Sequence, residues 1–210
     1  MAVSGIEQLD LLDWKRRVFD LYREIRLSSD PAAAWRRWRR ERDALFAGHP
    51  QSPLPEAARA AFRGLPFFDY DPASRTLARV ERAAPAASEI ETSGNGTYRF
   101  TRFGVAAFEL YGRPLTLELY WLDGYGGGVF LPFRDATSGA ETYGAGRYLL
   151  DTVKGADLGS RDGRLVLDFN FAYPPSCAYD PRWVCPLAPP PNRLAQPIRA
   201  GERLAPAATD

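Results

Sequence analysis

The N-terminal third of the chain has the apolar spacing of amphipathic helices. Between residues 5 and 28, apolar side chains recur at intervals of three and four, which places them on one helix face. These residues are Leu11, Trp14, Val18, Leu21 and Ile25. Asp30 followed by Pro31 indicates a new helix start, because aspartate caps free N–H groups and proline fits the first helical position. The pattern predicts a second helix from there to about Phe46 and a short third helix over residues 55–62.

Beyond residue 75 the period changes from helical to alternating. The clearest example is the stretch 115–121, where leucine and tryptophan alternate with threonine, glutamate and tyrosine. The other predicted strands are 76–82, 89–92, 98–103, 105–110, 129–133, 147–153 and 164–170. Gly104 separates two of them and indicates a bulge or bend. Short strands joined by tight turns, without helices between them, favour an antiparallel β-sandwich or partly closed β-barrel.

Prolines dominate the segment from Tyr173 to Ile198, so it can form neither a helix nor a central strand. The same segment carries more aromatic and aliphatic side chains than a loose tail would. We therefore predict a proline-rich C-terminal wrap that covers the sheet or the helices. The predicted fold class is α+β, with an N-terminal helical segment, 1–72, packed on an antiparallel β domain with the wrap, 73–210. We expect the two to form one cooperative unit.

The net charge and the targeting signals limit the partners and the cellular location that the sequence predicts. The chain has 210 residues and a net charge of +1, which gives no argument for a nucleic-acid partner or an anionic membrane. Residues 1–5 lack the basic and apolar regions of a signal peptide, and no stretch is apolar enough to span a bilayer. We therefore expect a cytoplasmic location and no membrane partner. The sequence makes no prediction of the oligomeric state.

The densest group of polar side chains lies between the predicted strands 129–133 and 147–153. Polar groups crowded at strand ends are typical of binding sites carried by a rigid scaffold. Arg134 and Arg147 border this loop, and two converging guanidinium groups bind carboxylates and phosphates well. We therefore predict binding of a small polar or anionic molecule at the open end of the barrel or sandwich. The predicted ligand-binding residues are Arg134, Thr137, Ser138, Glu141, Tyr143, Arg147 and Asn170.

Two other interpretations compete with ligand binding. The carboxylates Asp135, Glu141 and Asp168 are candidates for an acid–base pair, and two of them facing one cavity would indicate a hydrolytic enzyme. Asp168 is either a buried hydrogen-bonding partner or a residue lining the site, since a buried acid needs a partner in both cases. The last interpretation is a structural or partner-binding domain, in which the arginines pair with local acids and lock the loop. The sequence does not decide whether the protein is an enzyme.

Metal, nucleophile and cofactor signatures are weak or missing. Cys177, Cys185 and His49 fall short of four zinc ligands, and there is no Walker loop, dinucleotide fingerprint or EF-hand. We predict two reduced thiols, with a structural disulfide as the alternative, and neither a metal nor a cofactor. Ser138 lacks the Gly-x-Ser-x-Gly context of a hydrolase nucleophile, and His49 is interpreted as a surface or docking histidine.

Three long stretches form specific motifs. They are residues 132–148, which read PFRDATSGAETYGAGRY, residues 168–179 and residues 185–202. Together with Trp38-Arg39 and the connector 49–54, they make the chain resemble the largely bacterial and archaeal domain-of-unknown-function family 1684 over nearly its whole length. The resemblance implies no activity, because none is established for the family. Phe171 departs from the motif at a position where we expect a polar residue.

Overall fold

The computed structural model describes residues 5–205, so the interpretation of the first four residues as lacking a leader lies outside the described part. Asp30 begins the second helix as predicted: its side chain accepts a hydrogen bond from the Ala33 N–H at 2.9 Å, and Pro31 follows at the first helical position. The third helix is shorter than predicted. The helices are α1 (Gly5–Leu27), α2 (Pro31–Gly48) and α3 (Glu56–Arg59).

Seven antiparallel strands form one sheet. They are β1 (Arg75–Glu91), β2 (Thr97–Leu110), β3 (Arg113–Leu122), β4 (Gly128–Phe133), β5 (Arg147–Asp151), β6 (Ser160–Arg161) and β7 (Arg164–Asp168). Their order in the sheet is β5-β4-β3-β2-β1-β7-β6. The predicted strands 76–82 and 89–92 are a single long strand, β1, whose register with β2 shifts between Arg82 and Ala86. The sequence pattern predicted two separate strands here, whereas the structure has one strand with a local shift of register.

The predicted irregularity at Gly104 is present in β2. The pairing of β2 with β3 shifts register between Arg102 and Gly104. A Cβ atom at Gly104 would lie 2.9 Å from the Glu81 carbonyl oxygen, closer than side chains approach a backbone. Only glycine fits this close approach of two strands without a shift of the backbone.

The sheet curves around an apolar core, and the C-terminal wrap covers its open side. Leu131 of β4 and Leu167 of β7 lie in this core together with Ile198 and Ala200 of the wrap, and all four are buried. The sheet is not closed: β5 and β6 are its two edges. Tyr148 of β5 exchanges backbone hydrogen bonds of 2.8 and 3.3 Å with Tyr173 at the start of the wrap. The predicted α+β class, with a partly open barrel, is confirmed.

The helices pack on the outside of the sheet, near the end of β7. Trp35 and Trp38 of α2 are buried in a second apolar cluster with Val166 and Phe171. The Trp35 Nε1–H donates to the Asn170 carbonyl oxygen at 2.9 Å. Phe171, which departs from the family motif, therefore has an apolar neighbourhood. Within residues 5–205, no helix combines the length and apolar character needed to cross a bilayer.

Candidate functional site

The loop between β4 and β5 is organised by a buried ion pair. The Arg147 Nη2 and a carboxylate oxygen of Asp135 lie 2.8 Å apart, with side chains 1% and 0% exposed. The same guanidinium donates to the carbonyl oxygens of Ile198 at 2.9 Å, of Glu202 at 3.2 Å and of Ala200. Arg147 therefore holds the C-terminal wrap against the barrel.

The other polar side chains of this loop bind protein partners. The Thr137 N–H donates to the Asp135 carboxylate at 2.6 Å, and the Asp135 N–H donates to the Ser138 Oγ at 3.2 Å. Glu141 lies further out and pairs with Arg199, whose Nε is 2.9 Å from its carboxylate. The structure thus brings the predicted loop residues together, with their hydrogen bonds directed at one another and at the wrap.

Arg134 is the exception in this loop. Among residues 5–205 its guanidinium has no ion pair or side-chain hydrogen bond, although the residue is half-buried. Its backbone is paired with the wrap: its N–H donates to the Asn192 carbonyl at 2.8 Å, and its carbonyl accepts from the Leu194 N–H at 2.8 Å. Gly146 closes the loop with a φ of +102°, and a Cβ there would lie 2.5 Å from the Phe133 carbonyl.

Tyr143 connects the loop to the two cysteines. Its hydroxyl lies 3.7 Å from the Cys177 Sγ, and burial raises the pKa of the phenol to about 12. Cys177 and Cys185 are free thiols. A hydrogen bond from Cys185 lowers the pKa of Cys177 to about 6, and the same contact raises the pKa of Cys185. Cys177 is also the more accessible thiol of the pair, because it is partly exposed and Cys185 is buried.

His49 is buried and fully partnered. Its Nε2 lies 3.1 Å from the Asp13 carboxylate, and its Nδ1 accepts from the Gln51 N–H at 3.0 Å. With both ring nitrogens occupied, it has no free position to act as a base, and it connects α1 to the segment after α2. No group of three or more His, Cys, Asp or Glu side chains within residues 5–205 is arranged to hold a metal ion.

Asn170 and Asp168 lie where β7 ends and bind partners outside the loop. The Asn170 side chain donates to the Asp71 carbonyl at 2.8 Å and accepts from the Asp71 N–H at 2.9 Å. It also donates to Oδ1 of Asp168 at 2.8 Å. Asn170 is fully buried and has a partner for each side-chain atom, so its role here is to hold Asp168 in place.

Asp168 is buried with one carboxylate oxygen unsatisfied. Its Oδ1 accepts from the backbone and side chain of Asn170, but its Oδ2 has no hydrogen-bond partner. Arg75, directly opposite on β1, has its Nε 3.6 Å from Oδ2, which is within ion-pair distance but too long for a hydrogen bond. Burial raises the pKa of the Asp168 carboxyl to about 6.

Asp168 lines a pocket of about 290 Å³ between α1, the start of α2, and strands β6 and β7. We call it the Asp168 pocket. Three guanidinium groups also line it, from Arg26, Arg75 and Arg161. Arg26 donates to the Asp157 carbonyl at 2.7 Å, which orients it. The first turn of α2 contributes Pro31 and Ala34 to the wall. The arrangement suits an anion that also donates a hydrogen bond to Oδ2.

Sequence analysis identified only part of this pocket. Asp168 is a candidate in the sequence because it is an acid in a strand with apolar neighbours, whereas the predicted ligand residue Asn170 does not line the pocket and instead holds Asp168. The arginines were missed because they come from α1, β1 and β6, and no local pattern shows that they converge. The three candidate carboxylates lie in separate places: Asp135 in the buried ion pair, Glu141 at the loop surface, and Asp168 in this pocket.

Comparisons with known proteins find a family and a solved structure whose descriptions state no activity. The family described as "Protein of unknown function (DUF1684)" matches residues 60–203. Among solved structures, the chain is similar to the solution NMR structure of an uncharacterized protein from Haloarcula marismortui. The two are 37% identical, with a TM-score of 0.58, and the match covers 80% of this chain and 91% of that one. No protein of curated function matches the chain significantly.

Proposed function

Since the chain belongs to the DUF1684 family, and the descriptions of the family and of the similar structure state no activity, we propose a function from the geometry of the site. The protein binds a small anionic molecule in the Asp168 pocket. The ligand carries a hydroxyl or ammonium group as well as its anionic group. We also propose a cytoplasmic location, which two unbonded cysteines favour, and no nucleic-acid partner, which the net charge of +1 favours.

The observation that carries this proposal is the unsatisfied Oδ2 of Asp168. A buried polar atom without a hydrogen bond costs about 1–3 kcal/mol, and more when it is charged. A ligand hydroxyl or ammonium in the pocket would remove that cost by donating to Oδ2. Three guanidinium groups, from Arg26, Arg75 and Arg161, line the pocket together with one carboxylate. Arg26 and Arg161 also pair, at 3.6 and 4.0 Å, with aspartates outside the lining, and the excess of guanidinium groups in the wall itself favours an anionic group on the same ligand.

Ligand binding by the predicted residues of the β4–β5 loop remains a prediction. Thr137, Ser138, Glu141 and Arg147 bind protein partners, and Arg134 has the side chain that is available for a ligand. The hydrolytic alternative requires two carboxylates at one cavity. Among the described residues, Asp168 is the only carboxylate that lines its pocket, so no observation favours that alternative.

Calorimetric titration with three compounds tests the proposal. Glycerol 3-phosphate carries both the anion and the hydroxyl donor, methyl phosphate carries only the anion, and glycerol carries only the donor. We expect glycerol 3-phosphate to bind tightest, because it alone satisfies Oδ2 and the arginines together. Asp168→Asn and Arg75→Gln should each weaken its binding about tenfold or more, the usual effect of losing a charge-assisted hydrogen bond.

Arg99→Gln is the matched control for Arg75→Gln. Arg99 lies on β2, pairs with Glu89 at 3.7 Å, and does not line the pocket. Equal losses in the Arg75 and Arg99 variants, or equal affinities for glycerol 3-phosphate and methyl phosphate, would contradict the proposal. Each variant's melting temperature, measured without ligand, separates lost binding from lost folding.

A further inference from the structure

A second cavity, of about 380 Å³, lies where α1, the segment 51–53, the sheet and the C-terminal wrap meet. We call it the aromatic cavity. It shares no lining residue with the Asp168 pocket. Aromatic rings from three parts of the fold form much of its wall. These residues are Trp14 of α1, Phe100 of β2, Phe130 of β4 and Trp183 of the wrap.

The walls of the aromatic cavity are held in place by the fold. The Phe100 and Phe130 rings are stacked, with centroids 5.2 Å apart, and both side chains belong to the buried core. The Trp183 Nε1–H donates to the Pro53 carbonyl at 3.2 Å, which orients the indole. A preformed apolar cavity of this size is typical of small-molecule sites, because little side-chain order has to be gained on binding.

Both lysines of the chain line this cavity. Of the 27 basic residues, only Lys15 and Lys154 are lysines. The Lys154 Nζ lies 3.6 Å from the carboxylate of Asp151, which also lines the cavity. Lys15 has no carboxylate within ion-pair distance among residues 5–205, although it attracts Asp151 at longer range. Two cations and one carboxylate leave a net positive charge beside an apolar interior.

We propose that the aromatic cavity binds a small aromatic or alkyl carboxylate. The apolar body of the ligand lies between Trp14, Phe130 and Trp183, and its carboxylate pairs with Lys15. The apolar rim supports this assignment, because Leu11 and Val184 line the cavity while remaining 44% and 52% exposed. This site is independent of the Asp168 pocket, so each proposal can fail without the other.

Two adjacent leucines of α1 give a matched test of the location. Leu11 lines the cavity and Leu12 does not, yet they are 44% and 41% exposed. Calorimetric titration with 2-naphthoate measures affinity, and neutral 2-naphthamide serves as the uncharged comparison. We expect Leu11→Asp to weaken naphthoate binding about tenfold, since it removes apolar contact and adds a repelling charge, while Leu12→Asp leaves it unchanged.

Lys15→Met and Lys15→Arg test the charge. Lys15→Met should lower the affinity for 2-naphthoate about fivefold, to that of 2-naphthamide, and Lys15→Arg should retain it. Bound 2-naphthoate should also slow acetylation of Lys15 and Lys154, followed residue by residue by mass spectrometry. No binding of 2-naphthoate, equal losses in the two leucine variants, or binding that protects neither lysine would overturn the proposal.

Discussion

At the scale of single residues, the burial of Asp168 makes the stability of the protein depend on pH. Burial raises the pKa of its carboxyl from an ordinary value of 3.8 to about 6, so the folded state holds this proton more tightly than the unfolded state. The stabilising contribution of that proton is fully present below pH 3.8 and is lost as the pH rises through 6. The lost contribution is about 3 kcal/mol, from about 1.4 kcal/mol for each pH unit of the shift.

Asp168→Asn should therefore remove a pH dependence rather than simply destabilise the protein. Urea unfolding of the native protein and the variant between pH 4 and pH 7 measures this. We expect the free energy of unfolding of the native protein to fall by about 2 kcal/mol relative to the variant over this range, less than the whole effect because the unfolded carboxyl is already partly ionised at pH 4. A difference in the free energy of unfolding between the two proteins that stays constant with pH would contradict a raised pKa of Asp168.

At the scale of elements, the β4–β5 loop is a clamp for the wrap. Its polar composition was evident in the sequence, but its partners were not. Arg147 finds its acceptors at Ile198, Ala200 and Glu202, more than 50 positions downstream, and no local periodicity connects such distant segments. The cap at Asp30 and the bulge at Gly104 could be predicted, because each depends on the backbone within or beside its own element.

Arg147→Met tests whether the buried ion pair holds the wrap in place. The control is Arg199→Met, which breaks a surface ion pair with Glu141 of the loop. Removing Arg147 leaves the Asp135 carboxylate buried without its ion-pair partner, which costs about 3–5 kcal/mol. The side chains of Arg199 and Glu141 are 60% and 38% exposed, and we expect a far smaller loss from Arg199→Met because solvent screens this pair. Chemical denaturation of both variants measures the difference. Equal losses would mean that Arg147 does not clamp the wrap.

At the scale of the whole molecule, alternation predicted the antiparallel sheet and the three- and four-residue spacing predicted the helices. These periods report which face of an element is buried, but not what covers that face. The arginines of the Asp168 pocket come from α1, β1 and β6, and the aromatic cavity is shared by α1, the sheet and the wrap. Apart from Asp168 itself, neither site could be predicted, because both exist only where separate elements meet.

Those shared surfaces lead us to expect that the helices, the sheet and the wrap unfold as one unit. Ile198 of the wrap is fully buried in the sheet core, whereas Trp35 and Trp38 of α2 belong to the helical cluster. Ile198→Ala should cost about 2–5 kcal/mol. If the unit is cooperative, it should lower the unfolding midpoint equally by tryptophan fluorescence and by far-ultraviolet circular dichroism.

Val184→Ala is the control within the same wrap, because Val184 is 52% exposed and its truncation should change stability by about 0.5 kcal/mol or less. The number of unfolding steps seen by the two signals decides whether the unit is cooperative. An unfolding curve of Ile198→Ala that separates into two steps, with only one of them moved to lower denaturant, would show that the helical segment, 1–72, unfolds separately. Because Trp35 donates to the Asn170 carbonyl at the end of β7, we expect the two midpoints to move together.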